Sequence, residues 1–141
     1  MIASFNYAVA LSFAGEDRKL ASYIAHELRS DRVSVFYDEF EKAQLWGSDL
    51  SETLPARYRN ARYCVILQSD EYLEKVWTTL ERQSMIYEFL SRRGRDYLLP
   101  IRVRGCSRPI PGLSELVGYI TINDEDDWPV SVQLLKAKLG A

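Results

Sequence analysis

An almost continuously apolar stretch in the middle of the chain reads Tyr63-Cys64-Val65-Ile66-Leu67-Gln68. A short run of this kind is typical of a parallel strand that helices cover on both faces, since half-exposed antiparallel strands alternate apolar and polar residues. Tyr7–Ser12 and Tyr97–Val103 have the same character. Together with two shorter segments, Val33–Tyr37 and Gly118–Ile122, they predict five strands.

Helical patterns fill the segments between the predicted strands. We expect helices at about Asp17–Arg29, Asp49–Arg59, Glu71–Arg92, Leu113–Leu116 and Pro129–Leu139. Each parallel crossover needs a helix packed on a face of the sheet, so this alternation predicts an α/β fold. The natural small solution is a flavodoxin-like, doubly wound, five-stranded parallel sheet of order 2-1-3-4-5, with helices on both faces.

One residue does not fit the interior of a sheet. Pro100 lies inside the predicted fourth strand, where it cannot donate a hydrogen bond to a neighbouring strand. We therefore expect either a bulge at Pro100 or pairing on one side only.

Length and charge limit the class of protein. The 141 residues are the length of one domain, and we interpret residues 1–141 as a single domain. With 18 basic and 20 acidic residues, the net charge of −2 gives no global attraction for nucleic acid or anionic membrane. No apolar run approaches the roughly 20 residues that span a bilayer, and the N-terminus lacks the features of a signal peptide. We expect a cytoplasmic protein that binds neither nucleic acid nor membrane.

Several kinds of site are disfavoured. Cys64, Cys106 and His26 are too scattered for the compact spacing of a zinc site, and we predict no metal. The single histidine falls in a helical pattern, which places it on a helix surface rather than in a catalytic triad. A phosphorylated receiver domain needs acids directly after the first strand, whereas this strand ends Leu11-Ser12-Phe13. The glycine-rich phosphate-binding motifs are absent.

A set of short motifs is more specific in its order and spacing than any one member. The chain carries Ala10-Leu11-Ser12-Phe13-Ala14-Gly15-Glu16-Asp17-Arg18, Val35-Phe36-Tyr37-Asp38, Leu45-Trp46-Gly47-Ser48-Asp49-Leu50, Ala61-Arg62-Tyr63-Cys64-Val65-Ile66-Leu67-Gln68-Ser69, Tyr72-Leu73, Trp77-Thr78-Thr79-Leu80-Glu81 and Leu99-Pro100-Ile101. Over nearly the whole chain this set resembles a TIR (Toll/interleukin-1 receptor) domain, whose fold agrees with the predicted sheet. The resemblance implies a prokaryotic immune or antiphage enzyme that cleaves NAD, its substrate, at the nicotinamide–ribose bond without a cofactor. The alternative is a non-catalytic TIR adaptor that acts by protein contact alone.

The pair Trp77 and Glu81 separates these alternatives. Positions four apart on a helix share a face, so the carboxylate stands one turn along from a large aromatic surface. The pattern alone favours a core tryptophan and an ordinary ion pair of Glu81 with Lys75 or Arg62. The resemblance reverses that preference, because the glutamate of this motif is the residue on which NAD cleavage depends in catalytic TIR domains. It also implies that Trp77 contributes to the NAD site.

A single carboxylate suits this chemistry. Ordinary glycoside hydrolysis uses two acids, because a poor leaving group must be protonated. The nicotinamide of oxidised NAD is a cationic pyridinium that departs as a neutral base, so no proton donor is needed. The remaining demand is to stabilise positive charge on the ribose and to hold its hydroxyls, which an ionised Glu81 does through electrostatics and charge-assisted hydrogen bonds.

Further candidates follow the first two strands, near the switch point at which such sheets bind ligands. Phe13 and Ala14 should line this crevice, where Phe13 either stacks on a flat ring or closes the core. Asp38 either binds a ribose hydroxyl or caps the turn.

The loop at residues 39–48 carries Phe40, Leu45 and Trp46, an unusual apolar load for a connection. In TIR enzymes this loop reaches a neighbouring domain, and stacked copies often complete the substrate site. We therefore expect these three side chains to contact NAD or another TIR copy in a homo-oligomer or filament, with internal packing of Trp46 as the alternative. Because the last predicted helix ends close to Ala141, we also expect these residues to be the N-terminal piece of a longer chain with a C-terminal sensor domain.

Overall fold

The computed structural model describes residues 5–77, 85–88, 91–92, 97–113 and 117–140. Within these residues, five parallel strands form one sheet in the order β2-β1-β3-β4-β5, which confirms the predicted topology. The strands are β1 Tyr7–Ser12, β2 Val35–Phe36, β3 Ala61–Gln68, β4 Leu98–Val103 and β5 Ile120–Ile122.

Four α-helices have both ends within the described part of the chain, and several short turns accompany them. The helices are α1 Arg18–Ser30, α2 Lys42–Leu45, α3 Leu50–Arg59 and α4 Trp128–Lys138. Turns of 3₁₀ helix span Gly15–Asp17, Asp38–Glu41 and Glu125–Asp127. None of the described helices has both the length and the apolar character needed to cross a membrane.

The long helix predicted over Glu71–Arg92 is described only in pieces. It opens with a turn of π-helix, Tyr72–Val76, in which the amide of Trp77 donates to the carbonyl of Tyr72 at 2.9 Å. Residues 85–88 are helical. Glu81 lies outside the described residues, as do positions 114–116 of the short helix predicted from Leu113.

Side chains alternate along the central strands between two core clusters, one on each face of the sheet. Val9 of β1 and Val65 of β3 join the cluster that contains the apolar side of α1 and part of α4. Ala10 and Cys64 join the opposite cluster, which contains Tyr58 of α3 and the residues around the π-turn. Helices therefore cover both faces, which explains why the central strands are apolar throughout.

The two irregular strands have simple explanations. β2 is shorter than predicted because Val33 belongs to the turn that ends α1. Its amide donates to the carbonyl of Leu28, and the residue before it, Arg32, has a left-handed backbone (φ 62°). Pro100 pairs with Ile66 of β3, whereas pairing with β5 begins only at Ile101. The expected pairing of Pro100 on one side is therefore confirmed.

Candidate active site

A cavity of about 400 Å³ lies beyond the carboxyl ends of β1 and β2. The predicted ligand position was the switch point between β1 and β3, and no described residue of β3 lines this cavity. Its walls come from β1 and the turn after it, from β2 and the following loop, and from α3. Polar and charged residues of both signs face it together with large apolar ones. The lining residues include Phe13, Arg18, Asp38, Lys42, Leu45 and Trp46.

Four of the side chains predicted for the site line this cavity: Phe13, Asp38, Leu45 and Trp46. The Phe13 ring is partly buried, 5.9 Å from the Tyr37 ring, and the guanidinium of Arg18 lies 5.0 Å from its centre. Phe13 is thus part of the wall and also packs against the first core cluster. The contact of these four side chains with NAD stays a prediction.

Two other candidates are placed elsewhere. Ala14 is only 2% exposed and, like Ala10, points into the second core cluster, so it does not line the cavity. Phe40 lies in a separate groove on the α1 side, where its ring contacts the rings of His26 and Tyr37. The guanidinium of Arg29 covers it at 4.4 Å. Core packing and α1 take up these two side chains, so neither lines this cavity, and their contact with NAD or another TIR copy stays a prediction.

Trp77 also lies outside the lining of the cavity. Its side chain is 1% exposed, and its indole Nε1 donates to the carbonyl of Pro111 at 2.8 Å. It packs 6.3 Å from the ring of Tyr72, whose hydroxyl lies 2.9 Å from Oγ of Ser12 in the cavity wall. The core surrounds the indole, which is the position that the sequence pattern alone favoured, and a role of Trp77 in the NAD site stays a prediction.

Arg18 and Asp38 form the electrostatic centre of the cavity. Nη1 and Nη2 of Arg18 donate to the two carboxylate oxygens of Asp38 at 3.0 and 2.8 Å, and these bonds raise the pKa of Arg18 above its ordinary value. Asp38 Oδ1 also accepts the amide of Glu39 at 2.8 Å, so the carboxylate bonds to the backbone of its own turn as well as facing the cavity. Lys42 pairs with Glu39 at 2.7 Å, which raises the pKa of Lys42.

The loop after β2 is fixed at its base and open at its tip. Glu41 accepts the hydroxyl of Tyr7 at 2.7 Å and Nε of Arg57 at 3.0 Å. Burial, followed by the bond to Glu41, raises the pKa of Tyr7 to about 12. At the tip, Trp46 is 89% exposed beside Gly47, whose φ of +82° favours glycine.

Comparison with known proteins decides the family. Residues 9–135 match the family model of the TIR domain. This chain belongs to the TIR family. The TIR domain described above therefore has the fold that its motifs indicated, with its cavity beyond the carboxyl ends of β1 and β2.

The relatives of this TIR domain include named enzymes. It is 42% identical over 137 residues to the "3' cyclic ADP-D-ribose synthase AaTIR" of Aquimarina amphilecti, covering 96% of this chain and 41% of the relative. It is 28% identical over 102 residues to the "NAD(+) hydrolase TcpA" of a Theionarchaea archaeon, covering 72% of this chain and 30% of the relative. The chain thus spans less than half the length of these relatives.

Solved structures show the same fold. The TIR domain of the Toll-related receptor TRR-2 from Hydra magnipapillata superposes with a TM-score of 0.71 at 19% identity, covering 96% of this chain and 100% of that one. A TIR-STING receptor from C. gigas gives a TM-score of 0.75 at 16% identity, covering 96% of this chain and 41% of that one.

Two cavity residues of this TIR domain were missed by the sequence analysis. Arg18 was quoted in the turn after the first strand but given no role, and Lys42 was not singled out. Their signal in the sequence is weak, since basic residues in loops are usually solvated. The structure gives them significance by placing both around one cavity with Asp38.

Proposed function

We propose that this TIR domain cleaves NAD at the bond between nicotinamide and ribose. The observation that carries the proposal is the cavity beyond the carboxyl ends of β1 and β2, which combines aromatic walls, two cations and carboxylates in one space. Its position fits the general rule for ligands of open α/β sheets. The names of the enzymes among its relatives support the same reaction class.

Each part of NAD has a chemically suitable partner among the lining residues. The rings of Phe13 and Trp46 suit stacking against a flat base. Arg18 and Lys42 supply positive charge for the diphosphate, and the guanidinium of Arg18 presents two parallel donors. A carboxylate such as Asp38 accepts hydrogen bonds from ribose hydroxyls.

We assign the chemical step to Glu81 through the family motif. The bond between C1′ and the pyridinium nitrogen breaks, and its electron pair leaves with nicotinamide as a neutral base. The ionised carboxylate stabilises the positive charge that develops on the ribose. The ribosyl cation then takes either a water oxygen, giving ADP-ribose, or a hydroxyl of the same molecule, giving a cyclic product. Either route releases one proton.

We further propose that stacked copies of the domain complete the site. Trp46 is almost fully exposed next to the cavity, and Leu50 beside it is half exposed. Exposed aromatic side chains of this kind are enriched at protein contacts. The setting that we propose is prokaryotic immune signalling in the cytoplasm, and a C-terminal sensor domain in a longer chain stays a prediction.

The deciding experiment incubates the wild-type chain and its Glu81→Gln variant with NAD at high protein concentration. Free nicotinamide is quantified, and linear and cyclic ADP-ribose are separated by chromatography. We expect nicotinamide from the wild type and a rate roughly 10²- to 10³-fold lower from the variant. Equal rates would remove Glu81 from the mechanism. If the wild type releases no nicotinamide even when crowding agents force it to assemble, the adaptor function is favoured.

A further inference from the structure

Arg104 occupies an unusual turn at the end of β4. Its φ is +50° and that of Gly105 is +73°, and the turn is closed by a hydrogen bond of 3.0 Å from the amide of Cys106 to the carbonyl of Val103. The amide of Gly105 also donates to Oδ1 of Asn123 at 3.1 Å. A left-handed backbone is uncommon for arginine, and such strain persists only where the surrounding contacts determine it.

Those contacts are two paired sets of hydrogen bonds. Nε and Nη2 of Arg104 donate to the carboxylate oxygens of Asp17 at 2.8 and 3.1 Å. Nη1 and Nη2 donate to those of Glu71 at 3.2 and 2.6 Å. Only a guanidinium has the geometry to bind two carboxylates in this way. The Asp17 side chain is 4% exposed, so removing its cationic partner leaves a buried charge.

The three residues join the ends of three strands. Asp17 ends the 3₁₀ turn after β1, a turn whose first residue, Gly15, lines the cavity. Glu71 directly precedes the π-turn Tyr72–Val76, which leads in sequence to Trp77 and then to Glu81. Arg104 itself follows β4.

Two further contacts join the same pair of segments. Glu16 accepts Nζ of Lys75 at 2.6 Å, and the hydroxyls of Ser12 and Tyr72 lie 2.9 Å apart in the interior. The segment that starts at Glu71 is therefore connected at three places to β1 and the 3₁₀ turn after it. The connection through Arg104 has the most hydrogen bonds.

We propose that Arg104 is a positioning residue for NAD cleavage: its double pairing with Asp17 and Glu71 holds the segment leading to Glu81 in register with the cavity wall. This inference rests on the proposed function. Arg104 is not among the described residues that line the cavity, so it acts through the two carboxylates rather than on the substrate.

The test compares two matched variants, Arg104→Asn and Arg108→Asn. Asparagine tolerates a positive φ, so the first change removes the side chain and keeps the turn. Arg108 is the control, because its exposed side chain pairs with Glu74 at 3.0 Å and with Asp70 at 3.9 Å but has no ion pair with the turn after β1 among the described residues. Arg104→Lys keeps the positive charge but cannot form the paired hydrogen bonds to both carboxylates. Glu71→Gln breaks one of the two pairings at a partly exposed position and serves as the test in case Arg104→Asn does not fold.

We expect Arg104→Asn to lower kcat by about 10- to 100-fold, the scale of a small misplacement of catalytic groups, with KM changed less than about 2-fold. Arg104→Lys should restore part of kcat, Glu71→Gln should lower kcat by a smaller factor, and Arg108→Asn should stay within about 2-fold of the wild type. Hydrogen exchange provides a readout independent of activity. The amides of Leu73 and Trp77, bonded to the carbonyls of Ser69 and Tyr72, should exchange faster in Arg104→Asn than in Arg108→Asn.

The outcomes separate this inference from the proposed function. Unchanged exchange at Leu73 and Trp77 in Arg104→Asn, or faster exchange with unchanged kcat, would overturn the positioning role, and so would an effect on KM alone. If Arg104→Asn does not fold, unchanged kcat and exchange in Glu71→Gln overturn it. A wild-type chain that releases no nicotinamide would remove the proposed function, and hydrogen exchange alone would then decide whether Arg104 fixes this segment.

Discussion

The guanidinium of Arg18 binds both carboxylate oxygens of Asp38, at 2.8 and 3.0 Å, in the wall of the cavity. The pair joins the start of α1 to the turn after β2, and Arg18 also lies over the ring of Phe13. A diphosphate entering the cavity would present the same kind of oxygens to Arg18 as Asp38 does. Substrate binding is therefore expected to compete with this internal ion pair.

Replacing Arg18 with lysine should weaken NAD binding more than it alters the chemical step. Lysine keeps the charge but loses the paired donors, so we expect KM for NAD to rise by about 10-fold with kcat nearly unchanged. Lys19→Gln is the control, because this neighbour is exposed and outside the cavity lining. Steady-state nicotinamide release gives both constants. A KM equal to that of the control variant would exclude Arg18 from substrate binding.

Trp46→Ala should change activity without changing stability. The side chain is 89% exposed, so the free energy of unfolding should stay within about 0.5 kcal/mol of the wild type. Nicotinamide release should fall, and its increase with protein concentration should become weaker if Trp46 contacts another copy. Urea unfolding and rates over a dilution series measure the two effects. Rates identical to the wild type at every concentration would contradict the role of Trp46.

Trp77→Phe, unlike Trp46→Ala, should lower the stability of the folded protein. The change removes the hydrogen bond to the Pro111 carbonyl and leaves space in the core, so we expect a loss of about 1–3 kcal/mol in the free energy of unfolding. Trp128→Phe, at a half-buried position against the Tyr23 ring, should lose less. Urea denaturation measures both. If Trp77→Phe were as stable as Trp128→Phe, the hydrogen bond and the larger size of the buried indole would contribute nothing measurable to stability.

The pairing of Glu71 with Arg104 predicts a pH dependence of stability. Arg104 lowers the pKa of Glu71 from 4.5 to about 2. The carboxylate therefore stabilises the folded state fully above pH 4.5, and this contribution is lost as the pH falls towards 2. The difference in unfolding free energy between wild type and Glu71→Gln should narrow over that interval. Denaturant titrations between pH 7 and pH 2.5 would reveal it, and a constant difference would argue against the pairing.

The sheet was predictable because its signal is local. Apolar runs marked β1 and β3 closely, since both are covered on two faces and tolerate few polar residues. β2 was predicted to begin at Val33, which is two residues too early. The amide of Val33 bonds to the end of α1, a contact that a pattern of apolar residues does not encode.

The site was predictable only in part. Strand ends located the cavity, and Phe13, Asp38, Leu45 and Trp46 were found because they follow strands or form an unusual loop. For Trp77 the pattern alone favoured the core position that the structure shows, whereas the family resemblance placed this residue in the NAD site. The pairing of Arg104 with Asp17 was not predictable from sequence patterns, because it joins positions 87 residues apart. Contacts of such long range depend on how the loops fold back.

The attachment of Glu41 to Tyr7 and Arg57 divides the loop after β2 into two parts with different freedom to vary. Substitutions at the base disturb the junction of β1 with α3, whereas substitutions near Trp46 meet mostly solvent. New binding preferences can therefore arise at the tip through single changes, without endangering the scaffold that presents it.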